Sequence, residues 1–192
     1  TEGFYKHYSL NNKNIFYSKL GNYEVLRMFG KERQNDCRIV LFYGRISQYK
    51  GVDYLLEAFK NITEHFKDVK LVIAGRGEFH FNIDDYKNDT QIEFINRFIT
   101  LDELCTLIRS SQFVVCPYVS ATKSGVVASV LALGKPIIVT NVGGLPEMIE
   151  DGKSGIVVPA RDAESLADSM DSLLCDSNKL NEMCHYIEES SI

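Results

Sequence analysis

Short apolar runs, closed by glycine or proline turns and alternating with helical spacing, constrain this chain more than any other feature. Arg38–Tyr43 (RIVLFY), Val69–Ala74 (VKLVIA) and Phe113–Cys116 (FVVC) are largely unbroken in hydropathy rather than alternating. Further strands are read at 91–95, 136–139 and 156–158. Unbroken runs suit strands that are covered on both faces. Helix faces lie between them. Val52, Leu55, Leu56, Phe59, Ile62 and Phe66 mark one, with Asp53 near its start. Thr100 with Glu103 forms a capping box ahead of Leu104, Leu107 and Ile108. Val126, Val127, Val130 and Leu131 mark a third face, which Gly134 would end, and Asn141-Val142-Gly143-Gly144 opens a turn into a further helix. Asp162 caps a helix carrying Leu166, Met170, Leu173 and Leu174, and Ser177 starts a last one through Leu180, Met183 and Ile187. Residues 78–90 show no clear period. Strand–helix alternation of this kind predicts an α/β fold on a doubly wound parallel sheet.

The periodic part begins at Arg38. Residues 1–37 are polar and irregular and read as a linker, or as a packing segment from a missing N-terminal domain. The domain is expected over 38–176, with a C-terminal helix over 177–192. The chain starts at Thr1 rather than Met, so a fragment of a longer protein is expected. A formal net charge of -5 supplies no basic field for nucleic acid or an acidic membrane. The cysteines are five, an odd number with no CxxC pair, which suits reduced thiols in a cytoplasmic chain. No apolar run is long enough to cross a bilayer, and no signal peptide is read. His7, His65, His80 and His185 lack metal-ligand spacing, so no metal is expected.

In a doubly wound sheet, ligands bind outside the carboxyl ends of the strands. Three of those ends carry arginine, as Gly44-Arg45, Gly75-Arg76-Gly77 and Asn96-Arg97. In an acidic chain an anionic ligand is the simplest reason; solvated loop arginines are the alternative. Arg45 and Lys50 flank a small loop between strand and helix. Arginine can fork two phosphate oxygens, and lysine reaches another as a mobile point charge. The small residues 120–125 (SATKSG) lead into a helix, where free backbone N–H groups suit a phosphate or, equally, simply cap the helix. Gly75-Arg76-Gly77 begins like a dinucleotide loop, but His80 occupies the third glycine position, and no P-loop or nucleophile elbow is present. Read this way, the residues describe a nucleotide or phosphate binder without a visible nucleophile or general base.

The ordered set of motifs resembles the second domain of group 1 (retaining, GT-B fold) glycosyltransferases. It comprises GRISQYKGVDYLLEAF from Gly44, LVIAGRG from Leu71, GKPII from Gly134, NVGGLPE from Asn141 and DGKSGIVVP from Asp151. The resemblance implies the Rossmann-like C-terminal half of a GT-B architecture that binds a nucleoside diphosphate sugar. It implies that Arg45 and Lys50 hold the donor diphosphate and stabilise the departing nucleotide, with Gly44, Thr122, Ser124 and Gly125 around the phosphates. It implies a base site against Arg97, Phe98 and Ile99, largely through backbone. Many members carry two glutamates around this loop; here those positions are Ala121 and Ser129, leaving Ser129 and Glu147 as candidates for the ribose or sugar. No cofactor is implied. The acceptor would belong to the missing N-terminal domain, as would any contact with the inner face of a membrane. The role implied is sugar transfer in polysaccharide or glycoconjugate biosynthesis, with the fragment inactive alone; a non-catalytic nucleotide-sugar-binding module is the alternative.

Overall fold

The computed structural model describes residues 23–32 and 37–190. Residues 1–22, most of the segment read as a linker, lie outside them, as do 33–36 and the last two. Six strands form one sheet: β1 (Arg38–Tyr43), β2 (Val69–Ala74), β3 (Ile92–Ile95), β4 (Phe113–Cys116), β5 (Ile137–Thr140) and β6 (Gly155–Val158). Their spatial order is β3-β2-β1-β4-β5-β6, and every pairing is parallel. The helices are α1 (Val52–His65), α2 (Leu101–Ser110), α3 (Gly125–Ala132), α4 (Ala163–Cys175) and α5 (Ser177–Glu189). The chain winds outward from β1 to β3, then returns to β4 on the other side of β1. The expected doubly wound sheet is the observed one.

The register explains why the strands read as unbroken apolar runs. Val40, Leu41 and Phe42 of β1 are fully buried, as are Phe113, Val114 and Val115 of β4 beside it. Right-handed crossovers that run in opposite directions from the β1/β4 boundary place α1 and α3 on opposite faces. The α1 face packs against α4. It buries Leu55, Leu56 and Phe59 completely, each contributing about 1.5–3 kcal/mol of transfer free energy.

Part of the N-terminal segment joins this same domain. Glu24–Met28 is a turn of 3-10 helix that buries Leu26. Arg27 Nε donates to Ala132 O at 2.9 Å, while Arg109 reaches back to Phe29 O and Arg27 O. The segment thus bridges α2 and α3.

The last helix starts at Ser177 as read, with Asp176 as its cap: its carboxylate accepts from Lys179 N at 3.0 Å. One local expectation is corrected. The glycine turn after β5 leads only into a 3-10 turn, Pro146–Met148, before β6. Residues 78–90, which show no clear period, hold a further 3-10 turn, Ile83–Tyr86, beside a cluster of aromatic rings. Phe79 and Phe81 sit edge-on at 5.3 Å, and Phe79 meets Phe94 of β3 at 5.4 Å.

Candidate anion site at the end of the sheet

β1 and β4 are neighbours in the sheet but not in sequence order, so the loops leaving them diverge and open a crevice. The near ends of those loops are tied together. Val119 N donates to Tyr49 O at 2.8 Å. Gly51 has φ +63°, and a Cβ there would lie 2.0 Å from Pro117 O. Only glycine lets α1 begin this close to the exit of β4.

Lys50 stands at that junction. Its ammonium lies 3.4 Å from the centre of the Tyr118 ring and 5.2 Å from that of Tyr49. Burial pushes its pKa below that of an ordinary lysine. It has no carboxylate partner among the described residues, in contrast to Lys70 with Glu93 or Lys153 with Glu150. The Cys116 thiol below is wholly buried and pushed up to about 12, so it stays protonated and supplies no counter-charge. Tyr118 is also fully buried, and its hydroxyl has no hydrogen-bond partner. The Cys116 thiol and Ser124 hydroxyl lie close enough to influence its titration, yet neither meets it with hydrogen-bonding geometry.

The unpaired hydroxyl leads to a stability prediction. Tyr118→Phe keeps the ring under Lys50 and removes a buried polar atom, so the chain should be unchanged or more stable by up to about 1 kcal/mol. Tyr118→Leu loses the ring as well and should destabilise by about 1–2 kcal/mol through the lost cation–π contact alone. Denaturant unfolding of both variants checks this; a clear loss in Tyr118→Phe would show that the hydroxyl is satisfied.

Capping separates the two helices that follow β1 and β4 from the rest. α2, α4 and α5 have side-chain caps from Thr100, Asp162 and Asp176. α1 and α3, which follow β1 and β4, have none. Ser124 occupies the N-cap of α3 and is buried, but its side chain accepts no cap bond. The first N–H groups of both helices therefore lack a side-chain acceptor, at the ends where the helix dipole is positive. Gly125 and Thr122 are exposed beside Ser124. Gly144 N donates to Thr122 O at 2.7 Å, which fixes the loop against the turn after β5.

The structure brings Gly44, Arg45, Lys50, Thr122, Ser124 and Gly125 to the loops of these two strands. Arg45 is exposed and lines an open cleft of about 860 Å³ with Ser47, Arg76 and His80. Arg97 lies after β3, and its guanidinium is forked onto Glu103, with Nη1 2.8 Å from Oε2. Arg97 Nη1 also donates to Phe98 O at 3.1 Å and Arg97 N to Ile95 O at 3.0 Å, while Phe98 as a residue is 76% exposed. Ser129 is buried. Its hydroxyl lies 2.7 Å from Gly125 O and also pairs with the Tyr43 hydroxyl, so it is engaged within the fold rather than presented to a ribose. A serine four residues into a helix commonly bonds back to the preceding turn, which weighs against the candidate role given to it. Glu147 is exposed in the 3-10 turn after β5. Tyr118 was not singled out from the sequence. The signal available was an aromatic residue directly after Pro117, where a buried strand leaves the sheet.

Comparison with known proteins bears on the family and the fold. A family model described as glycosyl transferases group 1 matches residues 37–176. The chain is similar to an uncharacterised glycosyltransferase of Methanocaldococcus jannaschii, 35% identical over 147 residues, 74% of this chain and 37% of that protein. It therefore spans well under half the length of that relative. Its fold is similar to the C-terminal domain of a glycosyl transferase group 1 family protein from Francisella tularensis (TM-score 0.72, 21% identity, 84% of this chain and 93% of that one). It is also similar to Anabaena HepE in complex with UDP (TM-score 0.71, 17% identity, 81% of this chain and 44% of that one). With the family model covering most of its length, the chain belongs to the group 1 glycosyl transferases.

Proposed function

We propose that this chain is the donor-binding half of a retaining, GT-B-type glycosyltransferase. It would hold a nucleoside diphosphate sugar while the sugar passes to an acceptor hydroxyl, in cytoplasmic polysaccharide or glycoconjugate biosynthesis. The observation that carries the reading is the convergence of two uncapped helix N-termini with Lys50 at the β1/β4 crevice, with Arg45 lining the adjoining cleft between β1 and β2. All of these favour a polyanion, and none has an anionic partner among the described residues. That HepE, which shares the fold, was solved with UDP supports a nucleoside diphosphate as the anion.

Chemically, the bond between the anomeric carbon and the donor's distal phosphate oxygen breaks, and its electron pair goes to the diphosphate. Lys50 and Arg45 stabilise that growing negative charge, while the first turns of α1 and α3 offer N–H groups to it. The acceptor oxygen forms the new bond and gives its proton to the departing diphosphate. Retention rests on the resemblance in the motifs. The acceptor site and full transfer would require the N-terminal domain. The loop carries Ala121 and its helix the engaged Ser129, so no carboxylate there grips the ribose or sugar. This favours a second reading, a nucleotide-sugar-binding module without transfer.

Thermal unfolding with UDP, GDP, ADP and their glucose and mannose conjugates tests the proposal. One nucleotide should stabilise the chain by about 2.7 kcal/mol at 100 times its dissociation constant. Arg45→Ala should remove the shift. No shift with any of them, in this chain or in a protein that also contains the N-terminal half, would sink the donor-site reading. Binding without transfer to any acceptor in that longer protein would select the module.

A further inference from the structure

The arginines of the described residues fall into contrasting groups. Arg38 is held by Asp68, Arg97 by Glu103, Arg27 by Ala132 O, and Arg109 by Phe29 O and Arg27 O. Arg45, Arg76 and Arg161 have no side-chain partner among the described residues, and the first two line the same cleft of about 860 Å³. That cleft lies between the ends of β1 and β2. Lys50 and the residues 120–125 belong instead to the β1/β4 side.

The two arginines are carried on backbone that is tied together. The β1–β2 pairing runs past the strands: Gly44 N donates to Ala74 O at 3.0 Å and Ile46 N to Arg76 O at 3.2 Å. Ile46 pairs with Gly77, and a Cβ on Gly77 would lie 1.9 Å from Ile46 O. Asn96, directly after β3, clamps Gly77, accepting from its N–H and donating to its carbonyl, both at 3.1 Å. Two guanidinium groups are thus brought to one cleft by a fixed scaffold. Glu78 and His80 also line it, but neither forms an ion pair with them there. Two like charges gathered in one cleft repel where the nearby Glu78 carboxylate is not paired with either, and an anion between them relieves that repulsion.

The geometry points to a second anion subsite: Arg76, with Arg45, grips a phosphate or carboxylate on the β2 side of the crevice, in addition to the phosphate held by Lys50 and Ser124. This rests on the donor-site reading for its setting and goes beyond it in making Arg76 a specificity-determining residue. The site would then favour ligands with an anionic group in that second position. The group comes either from the donor's own diphosphate or from a second, anionic molecule beside it.

The test is calorimetric titration of the unaltered chain and of Arg76→Gln, Arg76→Lys and Arg45→Ala. The probes are the nucleoside diphosphate that gives the thermal shift, its monophosphate, and inorganic phosphate added to nucleotide-saturated protein. Loss of a charge-assisted contact worth about 1.5–3 kcal/mol corresponds to roughly 10- to 150-fold in affinity. If the group is the donor's, Arg76→Gln weakens the diphosphate by that factor and the monophosphate much less, and Arg76→Lys recovers part of it. If the group is a second molecule's, nucleotide binding is unchanged, and Arg76→Gln abolishes the binding of inorganic phosphate to the saturated protein. Should Arg76→Gln alter neither while Arg45→Ala still loses nucleotide, the subsite is refuted and the donor reading stands. Phosphate binding that needs Arg76 in a chain that binds no nucleotide would keep the subsite and refute the donor reading. No binding of any probe overturns both.

Discussion

Replacing Lys50 with methionine should weaken binding of the nucleoside diphosphate about 10- to 100-fold. In the protein that contains both halves it should lower transfer by about 10²–10³-fold. Methionine keeps most of the aliphatic stem and removes only the ammonium, so packing over Tyr118 is nearly preserved. On the proposed reading, the lost term is the charge that would meet the departing diphosphate. Lysine's position gives the effect a pH signature. Burial lowers the Lys50 pKa, so its charge, and with it anion affinity, is lost as pH rises, at a lower pH than for an ordinary lysine. Lys50→Arg, with a guanidinium that stays charged, should move that loss upward in pH. Stability runs in the opposite sense. Between the lowered folded pKa and the unfolded value, the unfolded chain binds more protons at this residue than the folded one, so its contribution to stability rises with pH across that window. Nucleotide titrations over a pH series check the first point, and unfolding over the same series checks the second. An affinity profile identical in Lys50 and Lys50→Met chains would remove Lys50 from the site.

The sheet was legible because its strands are written in local sequence. Arg38–Tyr43, Val69–Ala74 and Phe113–Cys116 appear with the bounds read from their apolar runs, since glycine and proline close them and both faces are buried. Thr100 and Asp162 were legible as caps because a cap bond spans only three residues. Residues 78–90 were not, because Phe79 and Phe81 are ordered by Phe94 across the fold, and no local period records that. The site divides the same way. Arg45 and Lys50 stand out as cations at a strand end beside glycine. The partner of Arg97 sits six residues on, on a helix, and only the structure shows that Glu103 engages its guanidinium. Ser129 depends on Tyr43, 86 positions away in sequence, which places its hydroxyl in the core rather than at a ligand. The pairing of Arg76 with Arg45 in one cleft follows from the extended β1–β2 register, which spacing along the chain does not contain.

Gly51→Ala should cost the fold about 3–5 kcal/mol and abolish nucleotide binding with it. Two penalties add at this position. The left-handed backbone at φ +63° costs an alanine about 1–2 kcal/mol. The new methyl would also stand 2.0 Å from Pro117 O, a backbone atom that cannot swing aside as a side-chain tip would. Gly152 separates the two penalties: it has φ +78°, and a Cβ there would meet nothing within 4 Å. Gly152→Ala should therefore cost only the backbone term, about 1–2 kcal/mol. Asparagine sharpens the contrast because it tolerates left-handed backbone. Gly152→Asn should be close to neutral, whereas Gly51→Asn should remain strongly destabilising through the contact with Pro117. The functional loss follows from the same contact. Relieving it means parting the loops after β1 and β4, which breaks the Val119 N to Tyr49 O bond and lifts Lys50 from the Tyr118 ring. Denaturant unfolding of the four variants, with a nucleotide titration of each that folds, measures both effects. Equal costs at Gly51 and Gly152 would mean that the loops are not pressed together at Pro117, and that Lys50 is positioned by something other than this junction.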